Sequence, residues 1–203
     1  MYVGAYGNAH DVITIVRAAT ILRERGKNNY RFVLVGDGVK RSECEREASL
    51  NKLSNMVFRD SVPKSDVARL QKEADILIAS VLDSDVYRFG INLNKMYDYF
   101  ASGRPVIFSG NTPNDPVSDS GAGFSIPPEN PEAMAGALQS YLEMTPNERS
   151  EMGKRARSYA EREFDVRKLA DRMELLLLQA IKDKEQETPG RTEKRRTLGK
   201  QDT

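Results

Sequence analysis

The chain has 203 residues and a formal net charge of +1. That length suits one domain with a full core, and the balance of charge excludes a strong global field for nucleic acid. A single cysteine, Cys44, excludes an internal disulfide framework and fits a reducing cytoplasm. In the helical run RSECEREASL it reads as a structural or surface thiol, not a nucleophile. There is no signal peptide and no apolar run of about 18 residues, so no membrane span is expected; residues 175–178 are too few.

In chain order, residues 1–3 start a strand, Gly4 and Gly7 make a turn, and residues 12–25 carry helical periodicity. Residues 31–35 form a second strand that ends in Gly36-Asp37-Gly38, read as strand-to-helix punctuation, and a charged helix follows to about Ser49. Residues 56–58 and 76–79 are further strands, separated by a short helix over residues 65–72. Residues 105–108 and 123–126 bring the total to about six strands, most alternating with helices. This predicts an α/β fold, a Rossmann-like doubly wound parallel sheet covered on both faces. Its ligands sit beyond the carboxyl ends of the strands, at the turns after Val3, Val35, Ala79 and Phe108. The remainder is helical: Asn130-Pro131-Glu132 starts one helix, Thr145-Pro146-Asn147-Glu148 offers a capping box for the next, and residues 164–181 form the last. Residues 1–183 are read as one Rossmann-like domain and residues 184–203 as a disordered charged tail. Its Lys194-Arg195-Arg196 is read chiefly as a solvating cluster.

Residues 89–107 carry the most information about function. Leu93, Met96, Tyr97 and Phe100 fall on one apolar helical face. Gly103 sits where a left-handed cap is needed, and Pro105 forbids continuation. A loop glycine feeding a helix with free N–H groups makes an anion site, for which phosphate is the usual guest. The backbone N–H groups of Gly90, Ile91 and Asn92 are the candidates. Asn92 and Asn94 either cap this helix or reach the ligand. Lys95 is either a solvated face residue paired with Asp98 or a phosphate or ribose contact. Arg88 is the nearest loop cation, and His10, the lone histidine, is either a solvated loop residue or a phosphate contact. Met173 and the neighbouring leucines read as core or interdomain packing.

Phe89-Gly90 and Tyr99-Phe100-Ala101-Ser102-Gly103-Arg104-Pro105-Val106-Ile107 resemble the donor-site motif of the retaining glycosyltransferases of family 4. Tyr87 and Lys95 stand where that family carries two glutamates. Asn94-Lys95-Met96-Tyr97-Asp98-Tyr99, together with Gly4-Ala5-Tyr6-Gly7-Asn8-Ala9-His10, is similar to a subgroup that builds bacterial O-antigen and capsule polysaccharide. Residues 57–63 resemble the segment whose backbone holds the nucleotide base, which implies base contacts at Ser61 and Val62. The resemblance runs from residue 1 to about residue 178 and implies the C-terminal, donor-binding half of a GT-B fold, followed by C-terminal helices. The implied partners are a nucleoside diphosphate sugar, with UDP foremost, a missing N-terminal acceptor domain, and a glycan or lipid-linked acceptor. The implied reaction transfers the sugar with retention, without a metal or other cofactor. Gly4, Gly7, His10, Arg88, Gly90, Ile91, Asn92, Asn94 and Lys95 are the implied donor and phosphate contacts, and no catalytic residue is assigned. A cytoplasmic location follows, peripheral at the inner face of the membrane, and the fragment alone is expected to be inactive. The alternatives are a non-catalytic nucleotide-sugar-binding domain and a UDP-sugar epimerase half, the latter poorly served by one histidine.

Overall fold

Six short parallel strands alternate with helices through the first 126 residues of the computed structural model, which describes residues 1–187. Strands β1 (Tyr2–Val3), β2 (Phe32–Val35) and β3 (Met56–Arg59) pair in that order, with Val3 opposite Val35 and Val35 opposite Arg59. Strands β4 (Leu77–Ser80), β5 (Val106–Ser109) and β6 (Gly123–Ile126) form a second triplet, with Ser80 opposite Ser109. Met1 joins the two. Its carbonyl accepts from Ile78 N at 2.9 Å and its nitrogen donates to Ile76 O at 2.7 Å, the pattern of one parallel bridge. The resulting order, β3-β2-β1-β4-β5-β6, reverses direction between β1 and β4, the switch point of a doubly wound sheet.

β2, β4 and β5 are buried at every position, as expected of parallel strands covered on both faces. Helix α1 (Val12–Glu24) turns Ile15, Ala19 and Leu22 toward a core shared with Met134 and Leu138 of α6 (Pro131–Glu143). Helices α2 (Arg41–Leu50) and α3 (Lys64–Lys72) follow β2 and β3, and α4 (Asn94–Ser102) leads into β5. Cys44 on α2 is buried, and burial pushes its thiol up to about 12, the state of an inert structural cysteine.

The apolar face of α4 differs from its sequence reading. Met96, Tyr99 and Phe100 are buried, whereas Tyr97 is exposed and Leu93 becomes the N-cap. Tyr99 turns inward because β1 needs it. Its hydroxyl accepts from Val3 N at 2.9 Å and donates to Val3 O at 3.0 Å, filling the gap where β4 leaves β1. Tyr99→Phe is expected to cost about 2 kcal/mol, because the N–H and C=O of half-buried Val3 both lose their partner; a denaturant melt that shows no loss would refute this role.

Two short elements lie outside the periodicity reading, being too brief to show a period: a 3-10 turn at Asp85–Phe89 and α5 (Pro116–Ser120). Asp115 fixes the start of α5 by accepting from Val117 N and Ser118 N, and left-handed Gly121 ends it. Helix α7 (Pro146–Glu163) opens on the expected capping box, with Glu148 accepting from Thr145 N at 2.7 Å and Thr145 Oγ1 accepting from Glu148 N.

Residues 1–161 form one compact unit, and the described residues from Arg162 onward form a second. In the latter, α8 (Val166–Glu187) continues past the expected end at Ile181 and includes the first residues of the expected tail. Met173 and Leu175 to Leu178 are exposed on it, so they are not core. Residues 188–203, with Lys194-Arg195-Arg196, lie outside the described residues. Among the described residues no helix is long and apolar enough to cross a membrane.

Candidate functional site

At the carboxyl end of β1 the chain turns through residues 4–11 and packs its backbone against the β2–α2 turn. Gly4 N donates to Val35 O, Tyr6 N to Asp37 O and Lys40 N to Tyr6 O, at 2.9–3.0 Å. A Cβ on Gly36 would lie 1.9 Å from the Gly4 carbonyl oxygen, and one on Gly38 would lie 2.7 Å from that of Tyr6. Both glycines have φ near +145° (+142° and +146°), where a side chain is strained. The punctuation glycines therefore set the height of the loop that carries Gly4, Gly7 and His10.

Lys95 crosses the switch point from the first turn of α4. Its Nζ donates to Tyr2 Oη at 2.9 Å and lies 4.2 Å from the centre of the Tyr2 ring. It also sits over Gly4, where a Cβ would be 2.6 Å from Nζ. The solvated-face reading of Lys95 with Asp98 does not hold: Asp98 pairs instead with Lys64 of α3. Burial lowers the Lys95 pKa to about 7. Burial first, and the Lys95 charge second, lower His10 to about 4. His10 Nδ1 is buried beside Gly7 without a hydrogen-bond partner among the described residues. Gly4 and Lys95 thus meet at Tyr2, with Gly7 and His10 packed on each other in the same loop, where His10 feels the Lys95 charge.

The loop before α4 is arranged differently. Gly90, at φ +114°, donates its N–H to Tyr87 O at 3.0 Å. The N–H of Ile91 is held by Asn114 Oδ1 at 2.7 Å, while Asn114 Nδ2 donates to Ile91 O at 2.8 Å. Two of the three expected phosphate donors are therefore engaged within the protein. Asn92 accepts from the Tyr97 hydroxyl and Asn94 is exposed, so neither caps α4. Arg88 is exposed, with its guanidinium 4.7 Å from the centre of the exposed Phe89 ring.

Beyond β3, Ser61 is exposed and Val62 is half-buried against Val33, Val35 and Leu70. Arg41 ties this turn to the one after β2, pairing with Asp60 at 2.6 Å and reaching Gly36 O at 3.2 Å. Asp11, at the start of α1, is buried; it donates its N–H to Ser80 O, and Ser80 Oγ donates to its carbonyl at 2.8 Å. Burial raises its carboxyl pKa. Spacing gave no signal for the roles of Tyr2, Tyr99, Asp11 or Asn114, which depend on partners 23 to 96 residues away.

What the site offers is a desolvated cation and an unpaired imidazole nitrogen over a glycine loop, on the sheet edge where a doubly wound fold binds ligands. Among curated proteins none matches the chain. Solved structures share its fold. WaaG, a glycosyltransferase involved in lipopolysaccharide biosynthesis, is 23% identical with a TM-score of 0.63, over 79% of this chain and 41% of its own. Anabaena HepE, solved with UDP and glucose, is 14% identical with a TM-score of 0.72, over 88% and 47%. Sucrose-phosphate synthase from Thermosynechococcus elongatus is 21% identical with a TM-score of 0.71, over 90% and 45%. The chain spans less than half the length of each of these three relatives, and its fold is that of their Rossmann-like C-terminal GT-B domain. The family model for glycosyl transferases group 1 matches residues 1–144, and the chain belongs to that family.

Proposed function

We propose that the carboxyl edge of the sheet binds the diphosphate of a nucleoside diphosphate sugar, with UDP foremost. On this reading the chain is the donor half of a retaining glycosyltransferase acting on a glycan or lipid-linked acceptor held by an N-terminal domain. The observation that carries it is Lys95, drawn onto Tyr2 without a carboxylate partner among the described residues. Burying an ammonium is costly unless an anion meets it, and a diphosphate beside Gly4 would do so. His10, on the same loop and within reach of the Lys95 charge, adds a second polar group. As the sugar leaves, charge builds on the diphosphate, and a fixed cation in a dry site stabilises it without reorganisation. Ser61 and Val62, on the same edge, are assigned to the base, and Asn92, Asn94 and Arg88 to the outer part of the donor. We place the reaction at the cytoplasmic face of a membrane.

Titration calorimetry of the chain with UDP, ADP and GDP tests donor binding. UDP is expected to bind at least about tenfold more tightly than the other two, a difference of about 1.4 kcal/mol. Heat from none of the three would sink the proposal for this domain. A second reading, a binding module without turnover, is favoured by Tyr87 and Lys95, which supply no carboxylate. UDP binding by the parent protein without sugar release from any UDP-sugar would select it.

A further inference from the structure

The opposite, amino-terminal edge of the sheet carries a second basic recess. A cleft of about 440 Å³ opens between the start of α7 and the turn that joins α4 to β5, within the size range of small-molecule sites. Arg149, Gly153 and Arg157 fall four residues apart on one face of α7. A Cβ on Gly153 would lie 2.4 Å from the Gly103 carbonyl oxygen, so the helix rests directly on that turn and leaves a hollow between the two arginines. Arg104 enters from the turn itself, and Lys154 completes four cations against one lining acid, Asp75.

Two of these cations are already neutralised, Lys154 by Glu151 and Arg157 by Glu161. Among the described residues Arg104 and Arg149 have no ion-pair partner. Arg104 donates to Lys72 O, and Arg149 donates to Leu142 O at 2.6 Å while lying over the Tyr141 ring at 5.0 Å. The Nε of Arg149 is buried with no hydrogen-bond partner among the described residues. A guanidinium fixed by stacking, with a buried N–H unmatched and a second arginine beside it, suits an anion that takes paired N–H donors. We propose that this cleft binds a phosphate-bearing ligand through Arg104 and Arg149. The phosphate belongs to either a soluble phosphate ester or a lipid headgroup. The site is independent of the donor edge, since all six strands are parallel and the two sites lie at opposite strand ends.

The test is amide NMR of the full chain during titration with inorganic pyrophosphate, which also reports on the donor edge. Saturable shifts at Gly103, Arg104 and Gly153, separate from any at Gly4, Gly7 and His10, are expected. Arg104→Gln with Arg149→Gln should weaken the cleft response at least tenfold and leave the Gly4–His10 response unchanged. If that pair unfolds, Arg149→Lys, which keeps the charge but loses Nε, should show the same selective weakening. Sedimentation with phosphatidylcholine vesicles, with and without phosphatidylglycerol, identifies the source. Capture by anionic vesicles that is lost in the double variant assigns the headgroup; pyrophosphate binding without capture assigns the soluble ester. Shifts confined to the donor edge, or a cleft response untouched by the substitutions, would overturn the proposal.

Discussion

Replacing Lys95 with methionine is expected to weaken UDP binding about 10- to 100-fold at pH 7. A hydrogen bond to a charged group is worth about 1.5–3 kcal/mol, and more of that survives in a desolvated site. Methionine keeps the length and packing over Tyr2 while removing the charge. The pH dependence identifies the group. In the free protein Lys95 has a pKa of about 7, and a bound diphosphate raises it. Affinity should therefore be highest below pH 7 and fall as pH rises toward the bound-state value, with a proton taken up on binding near pH 8. Calorimetry in buffers of different ionisation enthalpy measures that uptake directly. Lys95→Met should abolish it, and an unchanged uptake in the variant would exclude Lys95 from the diphosphate.

The same residue links stability to pH. Its folded pKa lies below the ordinary lysine value of 10.5, so the unfolded chain holds more protons between about 7 and 10.5. The Lys95 contribution to stability therefore rises with pH through that window, opposed above about 9 by Cys44, whose buried thiol keeps its proton to about 12. His10 acts in the same direction at lower pH, between about 4 and 6.5. In Lys95→Met the upper rise should vanish and the lower one remain.

Gly36→Ala should be among the most damaging single substitutions in the first unit. Its φ of +142° lies where a side chain is strained, at about 1–3 kcal/mol. The added Cβ would also stand 1.9 Å from the Gly4 carbonyl oxygen, a backbone atom that no rotamer change can move. The two loops would have to separate, breaking the Gly4–Val35 and Gly36–Arg59 backbone hydrogen bonds. A total loss of about 3–4 kcal/mol is expected, or roughly 10 °C in melting temperature for a unit of this size. Gly26→Ala is the control: its φ is +70°, but nothing lies within 4 Å of the added atom. Strain alone then costs about 1 kcal/mol. Equal losses at the two glycines, followed by circular dichroism on heating, would show that contact between the loops is not what fixes Gly36.

Much of the fold could be read before any coordinate. Apolar runs of three or four residues at β2, β4 and β5 can only be covered on both faces, and helical periodicity between them leaves a parallel α/β sheet as the economical arrangement. Caps and stops were equally local. Asn130 accepts from Ala133 N, Thr145 and Glu148 cap each other, and Gly103 takes the left-handed turn at φ +70°. Each of these depends on residues within one helical turn, so spacing alone reveals them.

The site was only partly legible. Glycine loops and the positions of His10 and Lys95 stand out in the sequence, but what Lys95 does depends on Tyr2, 93 residues away. Its helical neighbour Asp98 is drawn off by Lys64 from another element. Local spacing favoured the i, i+3 pair because it has no term for a partner that the fold delivers. The same blindness hid Asn114, which occupies the Ile91 N–H, and Tyr99, which lies outside the predicted apolar stripe yet turns inward to bind Val3. The sequence by itself determined the six strands and the longer helices, their parallel arrangement and the edge at which a ligand sits, because period, caps and handed crossovers are short-range properties. Only the tertiary structure decided which polar groups face that ligand and which are consumed internally, because buried donors and acceptors must find partners wherever the chain brings them.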